Sequence, residues 1–305
     1  MQQALALPSG VHTRRTAYLL LASLVILWGA NWPVMKLTLS FLPPVWFVIL
    51  RLFLGAATLF AVLGLTGAFS LPGRGDLLQL AVGGLVQLAI YMGLCILGLQ
   101  YLGAGRAAVL AYTTPLWVVP GALLFLGEKL DRLKALGLAL GIGGVLVLFN
   151  PFGFDWTNAS LVRGNALLMA AAFAWAAAIL VIRGQPWRLT PLQLAPWQML
   201  LGALALLPAA LAFEGPLAVE VTPRLVVLLI YNGPICIGFC GWAVIAITRS
   251  LPAVTSSLSF LAVPAFGIAA SAVALGERVD LTLIGGFALI LLGMLLVGAA
   301  DRRRG

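Results

Sequence analysis

The chain has 305 residues, 62% of them hydrophobic and only 9% charged. A water-soluble domain carries about 25% charged residues, so this composition excludes an ordinary soluble globule and asks for a bilayer as solvent. The net charge of +9 does not indicate nucleic acid, because the basic residues sit between apolar runs instead of forming one basic face. Ten apolar stretches, each long enough to cross about 30 Å as a helix, follow one another at 17–37, 44–66, 77–101, 106–126, 133–150, 163–182, 191–213, 224–249, 253–275 and 281–300. Loop chemistry separates them: Pro43-Pro44, the stretch Leu71 to Asp76, Asn150 to Gly153, Gly184 to Pro186, and Glu214 to Pro216. Arg14-Arg15 ahead of Tyr18 resembles the start of a signal peptide. The apolar run continues into Trp28 without a small-residue cleavage pattern, so the first stretch is expected to stay as a span.

Cys95, Cys236 and Cys240 all lie inside apolar runs, which argues against a disulfide framework. Cys236 and Cys240 share a helical face, but His12 is the only histidine, so packing is preferred over a metal site. No cofactor is expected. The nine acidic residues fall in loops or at the ends of runs and supply no clustered acid and base, so the chain is read as a non-enzyme. The same absence of a mid-span carboxylate tilts the reading towards facilitated diffusion over proton antiport.

The second half repeats the first. Gly103 to Phe149 realigns on Pro252 to Gly298 without a gap, 149 residues further on. Pro115 falls on Pro264, Gly127-Glu128 on Gly276-Glu277, Asp131 on Asp280, Gly137 on Gly286 and Gly144 on Gly293. Each copy holds five stretches, and an odd number of crossings starts the second copy on the opposite side. The predicted fold is therefore an all-α membrane protein of ten transmembrane helices, arranged as two inverted five-helix repeats (17–150 and 163–300) around a central cavity. Charge agrees with this alternation. With the N-terminus in the cytoplasm, twelve of the 18 Lys and Arg flank the cytoplasmic side, among them Arg14, Arg15, Lys129, Arg132, Lys134 and Arg302. Five (Lys36, Arg106, Arg163, Arg224, Arg278) flank the other side, and Arg51 lies within a run. Both termini are accordingly expected in the cytoplasm.

The opening Leu27-Trp28-Gly29-Ala30-Asn31-Trp32-Pro33-Val34-Met35-Lys36, then Leu50-Arg51-Leu52-Phe53-Leu54, and above all Leu99 to Ala108 running through Pro115 to Gly127-Glu128 and Gly144, resemble the drug/metabolite transporter superfamily and its ten-helix EamA-type exporters. The resemblance covers about residues 17–300. It implies an exporter in a bacterial-type inner membrane. It says little about substrate, because the shared residues are packing glycines, prolines and turn charges.

Polar and aromatic residues at mid-span mark the candidate site, since such groups are costly at bilayer depth unless they line a cavity or find protein partners. Gln87 and Tyr91, four apart, share a face, and Trp28 and Trp175 fall at equivalent places in the two halves. With Tyr112, Asn232 and Ser257 they are the expected substrate-binding residues; helix–helix contacts are the competing explanation for each. Arg51 either meets a substrate carboxylate or stabilises the scaffold. Pro115 and Pro264 act either as hinges or as static bends. Helices carrying Gly137, Gly144, Gly286 and Gly293 are expected to tie the halves together. The expected partners are a small amphipathic solute, an aromatic or hydrophobic amino acid first among them, and membrane lipids. The expected working unit is the monomer, moving its solute by alternating access.

Overall fold

Several helices begin where a side chain just ahead of them accepts from their first N–H groups. Asn158 accepts from Leu161 N and Thr222 from Leu225 N, while Thr190 and Gln193 form a reciprocal capping box ahead of Pro191. Asp131 and Asp280, 149 residues apart, accept from Lys134 N and Leu283 N at 2.8 and 2.7 Å. The Thr282 hydroxyl and the Leu283 N–H together hold the Asp280 carboxyl below its ordinary range. Gly127 and Gly276 stand at φ +64° and +66°, where a glycine ends a helix without strain.

The computed structural model describes residues 14–127, 130–149, 155–183, 185–186, 188–250, 260 and 262–302. In chain order the helices are α1 (Arg14–Thr38), α2 (Pro44–Leu65), α3 (Leu77–Ala81), α4 (Tyr91–Leu99), α5 (Ala104–Ala111), α6 (Thr114–Phe125) and α7 (Arg132–Phe149). They continue with α8 (Ala159–Ile182), α9 (Pro191–Phe213), α10 (Pro223–Ile230), α11 (Cys240–Ser250), α12 (Ala262–Leu275) and α13 (Leu281–Arg302). A π-helical stretch, Val82–Ile90, joins α3 to α4, and a second, Tyr231–Phe239, joins α10 to α11. These two stretches lie 149 residues apart at both ends, although their sequences (VGGLVQLAI and YNGPICIGF) differ. Among the described residues no strand occurs. Among the described residues, eight helical stretches are long and apolar enough to cross a membrane, and Ala262–Leu275 is apolar but shorter. The chain is a multi-pass helical membrane protein. Leu124, Phe125 and Val273 point outwards, as lipid-facing side chains do.

One local expectation changes. Pro115 does not bend a continuous helix. The chain leaves α5 at Tyr112–Thr113 and restarts at α6, with Pro115 in its first turn, where a missing N–H costs no helical hydrogen bond. Thr113 Oγ1 and Thr114 Oγ1 donate to the carbonyls of Leu110 and Ala111 at 2.7 and 3.1 Å, so the break is satisfied locally. Pro264 lies in α12 and is buried. Ser257, with Ser256 and Ser259, and the Glu128–Lys129 turn lie outside the described residues.

Two antiparallel pairings hold the molecule together. At one end of the α2–α9 pair, Val45 N and Trp46 N donate to the Glu214 carboxylate at 2.8 and 3.0 Å, and Trp46 Nε1 donates to Gly215 O at 2.9 Å. At the other end, Gln193 Nε2 donates to Ala68 O and Trp197 Nε1 to Ser70 O, at 3.1 and 3.0 Å. The start of each helix is thus tied to the loop that follows the other. The second pairing, α7 with α13, is closer still. A Cβ on Gly137 would lie 2.7 Å from Gly293 O, and one on Gly144 would lie 2.6 Å from Gly286 O. Backbone meets backbone there, the arrangement by which small residues let helices associate in lipid, where burial of apolar area supplies no drive. The π stretches pack reciprocally as well. A Cβ on Gly84 would lie 2.9 Å from Gln198 O, and one on Gly233 would lie 2.6 Å from Leu54 Cβ and 3.3 Å from Arg51 O.

Helix ends are also bound across the fold. The Glu277 carboxylate accepts from Ala104 N and Gly105 N at 2.6 and 3.0 Å, at the positive end of α5. Lys36, at the end of α1, donates to the carbonyls of Leu99, Gln100 and Leu102, where the negative end of α4 needs cations.

Candidate functional site

The pairing of α2 with α9, and of each π stretch with the opposing helix, leaves a space at the centre. α1, α2, the Val82–Ile90 stretch with α4, Tyr112, α8, α9 and the Tyr231–Phe239 stretch surround a cavity of about 280 Å³. Helical spacing explains who lines it. Trp28, Asn31, Trp32 and Met35 fall on one face of α1, and Ala195, Gln198 and Met199 on one face of α9. Gln87, Leu88, Tyr91, Met92 and Cys95 run down the third span, across the change from π to α winding. Arg51, Tyr112, Trp175, Cys236, Ile237 and Gly241 complete the wall. Local π winding widens a helix and recurs at functional sites, and both π stretches contribute side chains here.

The wall is aromatic and polar without being acidic. Tyr91 and Trp175 meet edge to face, with ring centroids 4.3 Å apart and planes at 68°. Trp28 Nε1 donates to Cys236 O at 2.9 Å, which fixes the indole of α1 against the second π stretch. Gln198 Nε2 donates to Gln79 O at 2.7 Å. Arg51 is buried, 4% exposed. Its Nη1 lies 2.8 Å from Met35 Sδ, its Nε has no hydrogen-bond partner, and the Phe47 ring centre is 5.6 Å from the guanidinium carbon. Asn31 is 7% exposed, and its Oδ1 is likewise without a partner. Among the described residues no cluster of three or more His, Cys, Asp or Glu side chains is placed to hold a metal ion.

Of the residues expected from sequence to bind substrate, Trp28, Gln87, Tyr91, Tyr112 and Trp175 line this one cavity. Asn232 does not. It is fully buried, and its Nδ2 donates to Leu228 O at 2.9 Å and to Thr38 Oγ1 at 3.2 Å, which joins the second π stretch to α1. Ser257 lies outside the described residues. Two polar wall residues, Asn31 and Gln198, escaped the sequence reading. Asn31 stands three residues after Trp28 and four before Met35, so the face of Trp28 already contained it. Gln198 occupies in α9 the place of Arg51 in α2, both being the residue whose carbonyl meets a π-stretch glycine.

A polar, aromatic cavity enclosed by long apolar helices fits a membrane transporter. The profile of the EamA-like transporter family matches residues 15–150 and again 162–299. The chain belongs to that family, with two units of the family's fold in one polypeptide. It is 27% identical to the uncharacterized transporter YoaV of Bacillus subtilis over 274 residues, which is 90% of this chain and 94% of that one. It is 28% identical to a probable amino-acid metabolite efflux pump of Salmonella typhimurium over 296 residues, covering 92% of this chain and 94% of the relative. A solved crystal structure superposes with a TM-score of 0.65 at 23% identity, covering 95% of this chain and 98% of the other, a likeness of fold.

Proposed function

We propose that this chain exports small amphipathic solutes, aromatic and hydrophobic amino acids first among them, across a bacterial-type inner membrane. The observation that carries the reading is the central cavity, whose volume of about 280 Å³ lies close to the lower end of the roughly 300–1,000 Å³ of ligand pockets and suits a solute of that size. Its indole and phenol rings suit an apolar side chain, and its amides and guanidinium suit a polar backbone. Export of amino acids is also in keeping with the name of the Salmonella typhimurium relative and with a resemblance to the aromatic amino acid exporter YddG.

In this reading the chain forms ten transmembrane helices as two inverted five-helix repeats, 17–150 and 163–300, with both termini cytoplasmic. The reciprocal contacts support it. Gly137 meets Gly293, the counterpart of Gly144, while Gly144 meets Gly286, the counterpart of Gly137, the reciprocity that an axis relating two copies produces. The solute enters from one side, contacts Gln87, Tyr91, Tyr112 and Trp175, and leaves when the halves rock about Pro115 and Pro264. The chain works as a monomer among lipids and carries out no covalent chemistry. Alternative readings are an exporter of drugs or other metabolites coupled to a proton gradient, and a polytopic membrane enzyme. The latter needs a clustered acid, base or metal at one face.

Purified protein in liposomes, assayed with radiolabelled phenylalanine, tryptophan, leucine and a cationic drug, tests the proposal. Amino-acid flux above that of protein-free liposomes is expected. Flux of the drug alone would transfer the chain to the alternative class of exporter.

A further inference from the structure

Arg51 presents a problem that the rest of the fold leaves unsolved. A guanidinium stays charged at any working pH, and a charge at bilayer depth needs an anionic or strongly accepting partner. Among the described residues it has none: a thioether, a weak acceptor, lies against Nη1, an aromatic face lies beneath, and Nε is unpaired. Every acidic residue of the chain lies at a span end or in a loop. Yet Arg51 lines the cavity, so the missing anion can come from the solute. The second half offers no duplicate charge, because the matching position of α9 is Gln198. The cavity is built for one negative group.

A second unpartnered group stands close by. Asn31 and Met35 are four apart in α1, hence neighbours on one face at about 5–6 Å between Cβ atoms. Met35 Sδ touches Arg51, so the free amide of Asn31 lies about one helical turn from the guanidinium. We infer that Arg51 and Asn31 form a clamp for the two charged groups of a zwitterionic α-amino acid: Arg51 takes the carboxylate and displaces the Met35 sulfur, and the Asn31 amide oxygen accepts from the ammonium. The side chain then lies against the Tyr91–Trp175 wall. This assignment rests on the amino-acid reading given above and narrows it. The cargo is recognised by its backbone charges, and an amine lacking the carboxylate is rejected by the unpaired cation.

The test separates the clamp from export itself. Binding to the detergent-purified full chain is measured by competition against radiolabelled phenylalanine, with phenethylamine (no carboxylate) and 3-phenylpropionate (no ammonium) as competitors. Flux is measured separately in liposomes. In the unsubstituted chain, phenylalanine should bind about 10- to 100-fold more tightly than phenethylamine, the range of a charged hydrogen bond. In Arg51→Met that ratio should collapse towards one, and in Arg51→Lys it should survive in part. Asn31→Leu should abolish the preference of phenylalanine over 3-phenylpropionate and leave its preference over phenethylamine. Ratios within one variant do not depend on how much of it folds. An unchanged phenylalanine-to-phenethylamine ratio in Arg51→Met overturns the clamp even where flux is normal. Arg51-dependent binding without flux leaves the clamp and removes the exporter.

Discussion

At the scale of single residues, the cavity wall divides labour between charge and shape. The Tyr91–Trp175 pair is the shape element, since two rings 4.3 Å apart present a rigid apolar surface. Trp175→Ala should weaken phenylalanine binding about 2- to 10-fold, the range of an aromatic contact, with Trp175→Phe close to the unsubstituted protein. Equilibrium dialysis with the purified chain checks this, and equal affinity in Trp175→Ala would place the indole outside the solute's path. Single residues also show where the sequence was readable. Trp28, Gln87, Tyr91, Tyr112 and Trp175 stood out because large or polar groups interrupt apolar runs. All five meet at one cavity because two of those runs are wound as π helices against the opposing half. Asn232 was equally conspicuous, but its position on the second π stretch turns it towards Thr38 of α1. A one-dimensional pattern does not carry that rotation. Asn31 was inconspicuous because a single small amide stands between the indoles of Trp28 and Trp32.

At the scale of elements, glycine decides which helices approach. The α7–α13 seam offers a paired comparison within one helix. A methyl group at Gly144 would meet Gly286 O at 2.6 Å, a contact that backbone cannot relieve, whereas one at Gly143 would meet nothing within 4 Å. Gly144→Ala should therefore destabilise the fold by about 1–3 kcal/mol through overpacking. Gly143→Ala should be neutral or stabilising by about 0.5–1 kcal/mol, because alanine loses less chain entropy in a helix. Thermal unfolding followed by size-exclusion chromatography distinguishes the two, and equal midpoints would remove the seam from the account of stability. The glycine spacing of these helices was visible in sequence, and Asp131 and Asp280 stood out as matched positions of the repeat, although not as caps. The break at Tyr112–Thr113 was not, because Pro115 reads equally well as a kink within a helix or as the first turn of a new one.

At the scale of the whole molecule, the distribution of ionisable groups limits what drives transport. The described spans bring one cation and no carboxylate to the cavity. An arginine does not exchange protons in the working range of pH, so the described cavity residues include no carboxylate or histidine to load and release a proton with each cycle. An imposed pH gradient of either sign should leave the equilibrium distribution of labelled phenylalanine across a liposome unchanged. Accumulation that follows the gradient and collapses with an ionophore would require a proton carrier elsewhere in the chain. The reciprocal ties at the two ends of the α2–α9 pair make the same molecule mechanically even-handed. Glu214 secures one helix start and Gln193 the other, so neither end is left without a tether.

The glycine seam has an evolutionary consequence. Gly137, Gly144, Gly286 and Gly293 join α7 to α13 through main-chain atoms, and neither helix contributes a side chain to the cavity. Residues that line the cavity and residues that join α7 to α13 are therefore different residues on different helices. If the proposed clamp holds, a lineage can exchange Arg51, Asn31 or Trp175 and acquire a new cargo while that joint is inherited unaltered. One architecture can in this way supply many cargo preferences from few mutational steps.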